Sequence, residues 1–328
     1  MRQINTTVYQ FCYNHKTDKS ISLPMSEYSK SFFSLNSWKQ RLVFWLGAII
    51  IGLLISTMTL LSEWASEFYR SASLVHAWFN FVVAPFGLAL TAWITFRFFP
   101  GSQGSGIPQV KTALELQHTA AERLKLVSLR IAIGKTFLPI MGLLSGASVG
   151  FGGPATHIGA SLMGSLGRAF KFPAHYMARG LLLAGSAAGF AAMFSAPLGG
   201  IMFAIEEMGR TLEERISTLV LTAIIFSGVT AYSILNHTIY FTDNQLSLPW
   251  GEGWLAIPLC GIIGGFLGGI FSKIIISGQY FIKKRGFPIV RVAFVCGCVI
   301  ALLGFVSHGE SFGTGYQLAK IYCWKKRQ

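Results

Sequence analysis

Charged side chains are scarce in this chain, and acidic ones are the scarcest. Among 328 residues only 12% are charged, with 13 Asp and Glu set against 27 Lys and Arg. Soluble domains typically carry roughly 25%, so an ordinary soluble globule is excluded. Cysteine is sparse too. The five are Cys12, Cys260, Cys296, Cys298 and Cys323. An odd number, with three in apolar runs, excludes a disulfide framework. Cys296-Gly-Cys298 lacks a second ligand pair, so no metal or other cofactor is expected. No segment alternates apolar and polar residues with period two, which excludes a transmembrane β-barrel. Met1 to Trp38 has neither an early apolar core nor a small-residue cleavage site, so it is not a cleaved signal peptide.

What is present is apolar and comes in long runs. Hydrophobic residues make up 52% of the chain and the mean hydropathy is +0.53. Spans are expected at Leu42 to Ser62, Ser71 to Phe96, Ser217 to Phe241, Trp254 to Ser272 and Val292 to Val306, each near the length that crosses a bilayer. Two further uncharged runs, Thr136 to Gly167 and Gly180 to Ile205, are interrupted by glycine and proline. The net charge of +14 lies in short clusters beside the apolar runs: Lys39 and Arg41; Arg123, Lys125 and Arg130; Lys283, Lys284 and Arg285; Lys325, Lys326 and Arg327. Such clusters set topology and meet lipid headgroups, and no nucleic-acid-reading motif accompanies them. The expected organisation is a cytoplasmic N-terminal segment (1–38), an all-α multi-span bundle with discontinuous helices (39–316) and a short basic tail (317–328). Gly261, Gly265 and Gly269 recur every four residues, a spacing that lets helix backbones approach closely.

Interrupted spans are tolerated in membranes only where the free backbone is buried or lines a pathway. Three stretches carry this signal: GSGIPQVK (Gly104 to Lys111), GFGGPATHIG (Gly150 to Gly159) and AGFAAMFSAPLGGIMFAIEEM (Ala188 to Met208). The first two are glycine-rich loops with a proline suited to the first turn of a new helix. A helix start has unpaired N–H groups and a partial positive charge, and Ser105 adds a hydroxyl. Two such starts form an anion site that needs no Arg or Lys, and an uncharged site suits conduction because it releases the ion.

In this order the three motifs resemble the CLC family of chloride channels and chloride/proton exchangers, from about Lys39 to Tyr316. The resemblance implies the first half of an inverted-repeat membrane fold, plus the start of the second. It also implies transport of chloride and similar small anions, with protons in the exchangers, and assembly as a homodimer in a bacterial inner membrane with the N-terminus cytoplasmic. By the same resemblance, chloride is bound around Gly104, Ser105, Gly106, Ile107 and Pro108, and by backbone amides near Gly152 and Gly153. Glu207, the second glutamate of EEM, matches the proton-relay position of the exchangers.

Two departures from the family pattern matter. Where the family reads G-R/K-E-G-P, this chain reads Gly150-Phe151-Gly152-Gly153-Pro154, so the gating glutamate is Gly152 and the basic residue is Phe151. A carboxylate about 4 Å from an anion, at an effective dielectric of about 20, repels it by roughly 4 kcal/mol. Its loss implies passive flow in place of coupled exchange. The second-half GxFxP helix start and tyrosine are not found either, so the chain reads as a C-terminally shortened member. The competing readings are a coupled chloride/proton antiporter and an inactive truncated fragment. A distant one is an intramembrane serine protease, from Gly146-Ala147-Ser148-Val149-Gly150 with His157 nearby, although no enzyme activity is expected. His157 is read as a packed polar residue. His76 and Asn80, four apart, are expected to share a helix face, and Arg210, Glu213, Glu214 and Arg215 to form a solvated patch.

Overall fold

The computed structural model describes residues 35–115, 120–172, 180–208, 218–235 and 252–315. Most of the expected N-terminal segment, the patch around Glu213 and Glu214, Cys12, Cys323 and the basic tail lie outside the described residues. The chain divides into two units, Met1–Leu42 and Val43–Gln328. Of the first, residues 35–42 are described. They are helical, with the Arg41 guanidinium 5.7 Å from the Trp38 ring centre.

Every regular element among the described residues is helical, as the sequence reading requires. Helix α1 spans Leu35–Val75 and α2 Ala77–Phe98. Then follow α3 (Ile107–Glu115), α4 (Ala120–Leu126), α5 (Leu129–Leu144) and α6 (Gly152–Ala169). Next come α7 (Leu182–Met193), α8 (Pro197–Phe203), which runs into a π-helical turn at Ala204–Met208, and α9 (Thr218–Ile234). After a 3₁₀ turn at Glu252–Leu255, α10 (Ala256–Arg285) and α11 (Ile289–Val306) complete the series. Among the described residues four stretches are long and apolar enough to cross a membrane: Arg41–Val75, Trp78–Phe98, Ala256–Arg285 and Ile289–Val306.

Helix α1 corrects the expected break between Ser62 and Ser71. It runs on through Glu63, Glu67 and Arg70 for 41 residues, about 60 Å at 1.5 Å per residue. Charge ends a hydropathy window but does not end a helix, and this stretch contains no Gly or Pro. Its inner face is also buried: Ala65 and Tyr69 are inaccessible, and the Tyr69 ring meets Phe312 edge-on at 5.0 Å. The chain breaks instead at His76, which is extended (φ −132°, ψ 98°) and caps α2. His76 therefore does not share a helix face with Asn80. Its ring lies edge-on to Trp78 at 6.0 Å, whereas Asn80 is buried with Oδ1 unpartnered among the described residues.

The core is built around α7, of which Leu182 to Gly189, Ala191 and Ala192 are all buried. It meets α6 backbone to backbone. A Cβ on Gly185 would fall 2.8 Å from the Gly159 carbonyl carbon and 2.7 Å from Met163 Cβ, and one on Gly189 would fall 2.9 Å from the Ala155 carbonyl carbon. On the other side Ser227 of α9 donates to the Ala188 carbonyl (3.0 Å). The uncharged run expected from Gly180 to Ile205 is split at Ser195, which has φ +49° just before Pro197 starts α8. Elsewhere Gly297 of α11 seats against Pro85 inside α2; a Cβ there would lie 2.5 Å from Pro85 Cα.

Close approach is thus made by Gly159, Gly185, Gly189 and Gly297, not by the glycines of α10. Among the described residues that helix buries nothing, and nothing lies within 4 Å of a Cβ at Gly261, Gly264, Gly265, Gly268 or Gly269. A small-residue stripe permits backbone contact but does not create it.

Candidate functional site

The site forms where two chain reversals meet. Leaving α2, the chain turns through Ser102, whose N–H donates to the Phe99 carbonyl (3.1 Å), and reaches α3 through Gly104 (φ +73°) and Gly106 (φ +110°). Gly106 must be glycine for two reasons. Its φ is left-handed, and a Cβ would lie 2.7 Å from His157 Cβ and 3.0 Å from the Gly153 carbonyl oxygen. Leaving α5, the chain turns at Gly146 (φ +80°) and reaches α6, where Ala155 N–H donates to Phe151 O as the first helical bond (2.9 Å).

These two starts touch. A Cβ on Gly153 would fall 2.6 Å from the Ser105 carbonyl oxygen and would overlap the Ser105 hydroxyl. The loop before α3 and the start of α6 line one open cavity of about 560 Å³, whose lining does not include Gly106, Ile107 or Pro108. Its walls include Thr95, Ser102, Gln103, Gly104, Ser105 and Lys135, together with Val149, Gly150, Gly152, Gly153 and Pro154. Ile107 and Pro108 form the first turn of α3. Of the predicted residues, Gly104, Ser105, Gly152 and Gly153 therefore come together. Gly152 has space beside it, since its Cβ direction meets only the Phe194 ring edge, at 3.8 Å. Phe151, where the family pattern has a basic residue, is buried in the core.

Lys135 is the residue that the motif reading missed. It is 2% exposed on α5 and donates through Nζ to the carbonyl oxygens of Gly104 (2.6 Å) and Ser105 (3.2 Å). A buried ammonium thus pins the loop that carries Ser105, and a cation does stand beside the expected uncharged site. The signal was legible as a Lys set inside the apolar stretch IAIGKTFLPIM, because a charge within an apolar helix must find polar partners.

Other candidates fall elsewhere. Glu207 lies in the π-helical turn, about half exposed, and pairs with Lys111 of α3 (2.7 Å). His157 is buried; Nε2 donates to the Leu126 carbonyl (2.7 Å), and Nδ1 is without a partner among the described residues. Its bond tethers α6 to the end of α4 and does not engage Ser148, which is exposed. A serine–histidine nucleophile is not assembled.

Two helices that begin after chain reversals, with residues of both reversals lining one cavity and membrane-length helices around them, make a membrane-protein architecture with discontinuous helices. The family model for the voltage gated chloride channel matches residues 87–325, and the chain belongs to this family. Among solved structures it is similar to a slow cyanobacterial Cl−/H+ antiporter (25% identity, TM-score 0.65, covering 80% of this chain and 64% of that one). It is also similar in fold to a CLC-type fluoride/proton antiporter (19% identity, TM-score 0.71, 88% and 70% covered). A eukaryotic CLC transporter shares the fold as well (22% identity, TM-score 0.64, 81% and 49% covered). The chain thus spans under two thirds of the length of the cyanobacterial antiporter.

Proposed function

We propose that this chain conducts small anions, chloride foremost, passively through the cavity between the starts of α3 and α6. The observation that carries the reading is the contact between Gly153 and Ser105, which brings the start of α6 against the loop before α3, both lining the cavity. Helix-start amides and a hydroxyl donate to an anion without binding it as tightly as a bare cation would. Ser105, with Gly104, Gly106, Ile107 and Pro108 shaping its loop, and the amides near Gly152 and Gly153 are the proposed ligands. Gly152 stands at the gate position with no side chain, so nothing there competes with the anion or carries a proton. The protein is proposed to work as a multi-pass homodimer in a bacterial inner membrane, N-terminus cytoplasmic.

A coupled antiporter is the second reading, favoured by the cyanobacterial relative's own activity. It needs an acid to replace the one absent at Gly152. Glu207 is already engaged with Lys111, which weighs against that role. Liposomes loaded with chloride and given a potassium ionophore separate the readings. Chloride efflux without proton movement supports conduction; matched proton uptake would overturn it in favour of exchange. No flux of either ion from folded, inserted protein would mean that these residues alone do not make a pathway.

A further inference from the structure

One reversal of the chain concentrates charge of a single sign. Between Glu252 and Glu310 there is no acidic residue, and the cations are Lys273, Lys283, Lys284, Arg285 and Arg291. The last four flank the turn between α10 and α11. Lys283, Lys284 and Arg285 form the last turn of α10, Gly286 closes it in the left-handed region (φ +63°), and Arg291 stands in the first turn of α11. All four are exposed, and none pairs with a carboxylate among the described residues.

Helix length fixes where this turn lies. Helix α11 has 18 residues, about 27 Å at 1.5 Å each, against a hydrocarbon core about 30 Å thick. It has no length to spare, so in spanning the bilayer it starts at a membrane surface. The last residues of α10 reach that surface with it. The side chains there suit that depth. Tyr280, Phe281 and Phe287 are exposed, the Phe281 and Phe287 ring centres lie 6.5 Å apart, and the Arg285 guanidinium is 5.0 Å from the Phe281 ring centre. Exposed aromatic rings beside cations belong at the headgroup level.

Complementing helix dipoles does not account for the set. Lys283, Lys284 and Arg285 favour the negative end of α10, but Arg291 stands at the positive end of α11, where a cation is disfavoured. No acidic residue in that first turn offsets it. Like charges gathered at one turn also repel one another. An external anion relieves both penalties.

We infer that the turn between α10 and α11 binds the phosphate of an anionic phospholipid, held by Lys283, Lys284, Arg285 and Arg291. A lipid is favoured over free phosphate because cations and exposed aromatic rings share the turn, and a lipid offers phosphate and apolar chain together. The inference does not depend on the conduction reading.

The test is native mass spectrometry of the purified full chain titrated with phosphatidylglycerol and with phosphatidylcholine. Each cation near an anionic headgroup contributes about fivefold, so wild type is expected to prefer phosphatidylglycerol by at least about tenfold. Added salt should shrink that preference. The fourfold variant Lys283→Gln, Lys284→Gln, Arg285→Gln and Arg291→Gln is expected to bring the two lipids within about twofold of each other. Should it not fold, Arg291→Gln alone carries the comparison, with an expected loss of about 3- to 5-fold, and Arg291→Lys should keep the preference. Lys125→Gln, in α4, is the control and should leave the preference unchanged. An undiminished preference in the fourfold variant would overturn the inference, as would an equal loss in Lys125→Gln and Arg291→Gln, since the charge would then act diffusely. Equal binding of both lipids to wild type would overturn it as well. Release of phosphatidylglycerol by millimolar inorganic phosphate would assign the turn to a free anion and sink the lipid as its occupant.

Discussion

Restoring a carboxylate at the start of α6 is the sharpest perturbation this structure allows. Gly152→Glu places a charge at a helix start that lines the same cavity as Ser105. The substitution can be accommodated: the nearest atoms to a new Cβ belong to the Phe194 ring, at an ordinary 3.8 Å. An acidic residue in a first helical turn is mildly favourable, by about 0.3–1 kcal/mol, so the fold should hold. The effect on conduction is larger. A carboxylate about 4 Å from an anion costs roughly 4 kcal/mol at an effective dielectric near 20, or about a thousandfold in occupancy at 1.36 kcal/mol per decade. Chloride efflux from liposomes should fall by two to three orders of magnitude at neutral pH. It should recover as acid protonates the carboxylate, because the neutral form no longer repels. Gly152→Gln has nearly the same volume without the charge and should slow efflux far less. If Gly152→Glu conducts like wild type at neutral pH, the anion does not pass this helix start and the proposed pathway is wrong.

Three further outcomes follow from the same geometry. Gly153→Ala forces a Cβ to within 2.6 Å of the Ser105 carbonyl oxygen; efflux should drop at least tenfold and thermal stability should fall by about 1–3 kcal/mol from overpacking. Lys135→Met strips the donor from two carbonyls and should cost roughly 1–3 kcal/mol for the groups left unmatched, read as a lowered unfolding midpoint together with weaker chloride binding. Glu207→Gln breaks an ion pair whose side chains are 42% and 44% exposed, which is worth well under about 1 kcal/mol, so chloride efflux should stay within about twofold of wild type; a large loss would reopen the exchange reading.

How much of this was legible beforehand depends on which physics each residue obeys. Ser105 and Gly153 could be found because glycine and proline mark helix starts through local constraints that any sequence exposes. The helical, membrane-length character was equally open, since it follows from composition and run length. Lys135 was harder: its role lies in two carbonyls some thirty residues away, and no local pattern encodes that distance. The continuation of α1 to Val75 was hidden for a related reason. Tyr69 holds the inner face of that stretch against Phe312, more than two hundred residues along the chain. The glycines of α10 misled in the opposite direction, because they allow contact yet meet nothing among the described residues.

Two neighbouring glycines at the start of α6 have opposite freedom to mutate. Gly153 abuts Ser105 so closely that any Cβ collides with backbone, and glycine is the only residue without one. It has no neutral substitute, and a saturation library selected for folded protein should return glycine almost alone there. Gly152 faces open space beside Phe194 and should accept many residues without loss of fold. Selection for folding therefore freezes one position and leaves the next for function to decide. In the proposed pathway, whether a gate is present would then be a choice made at a single codon, reversible without rebuilding the protein around it.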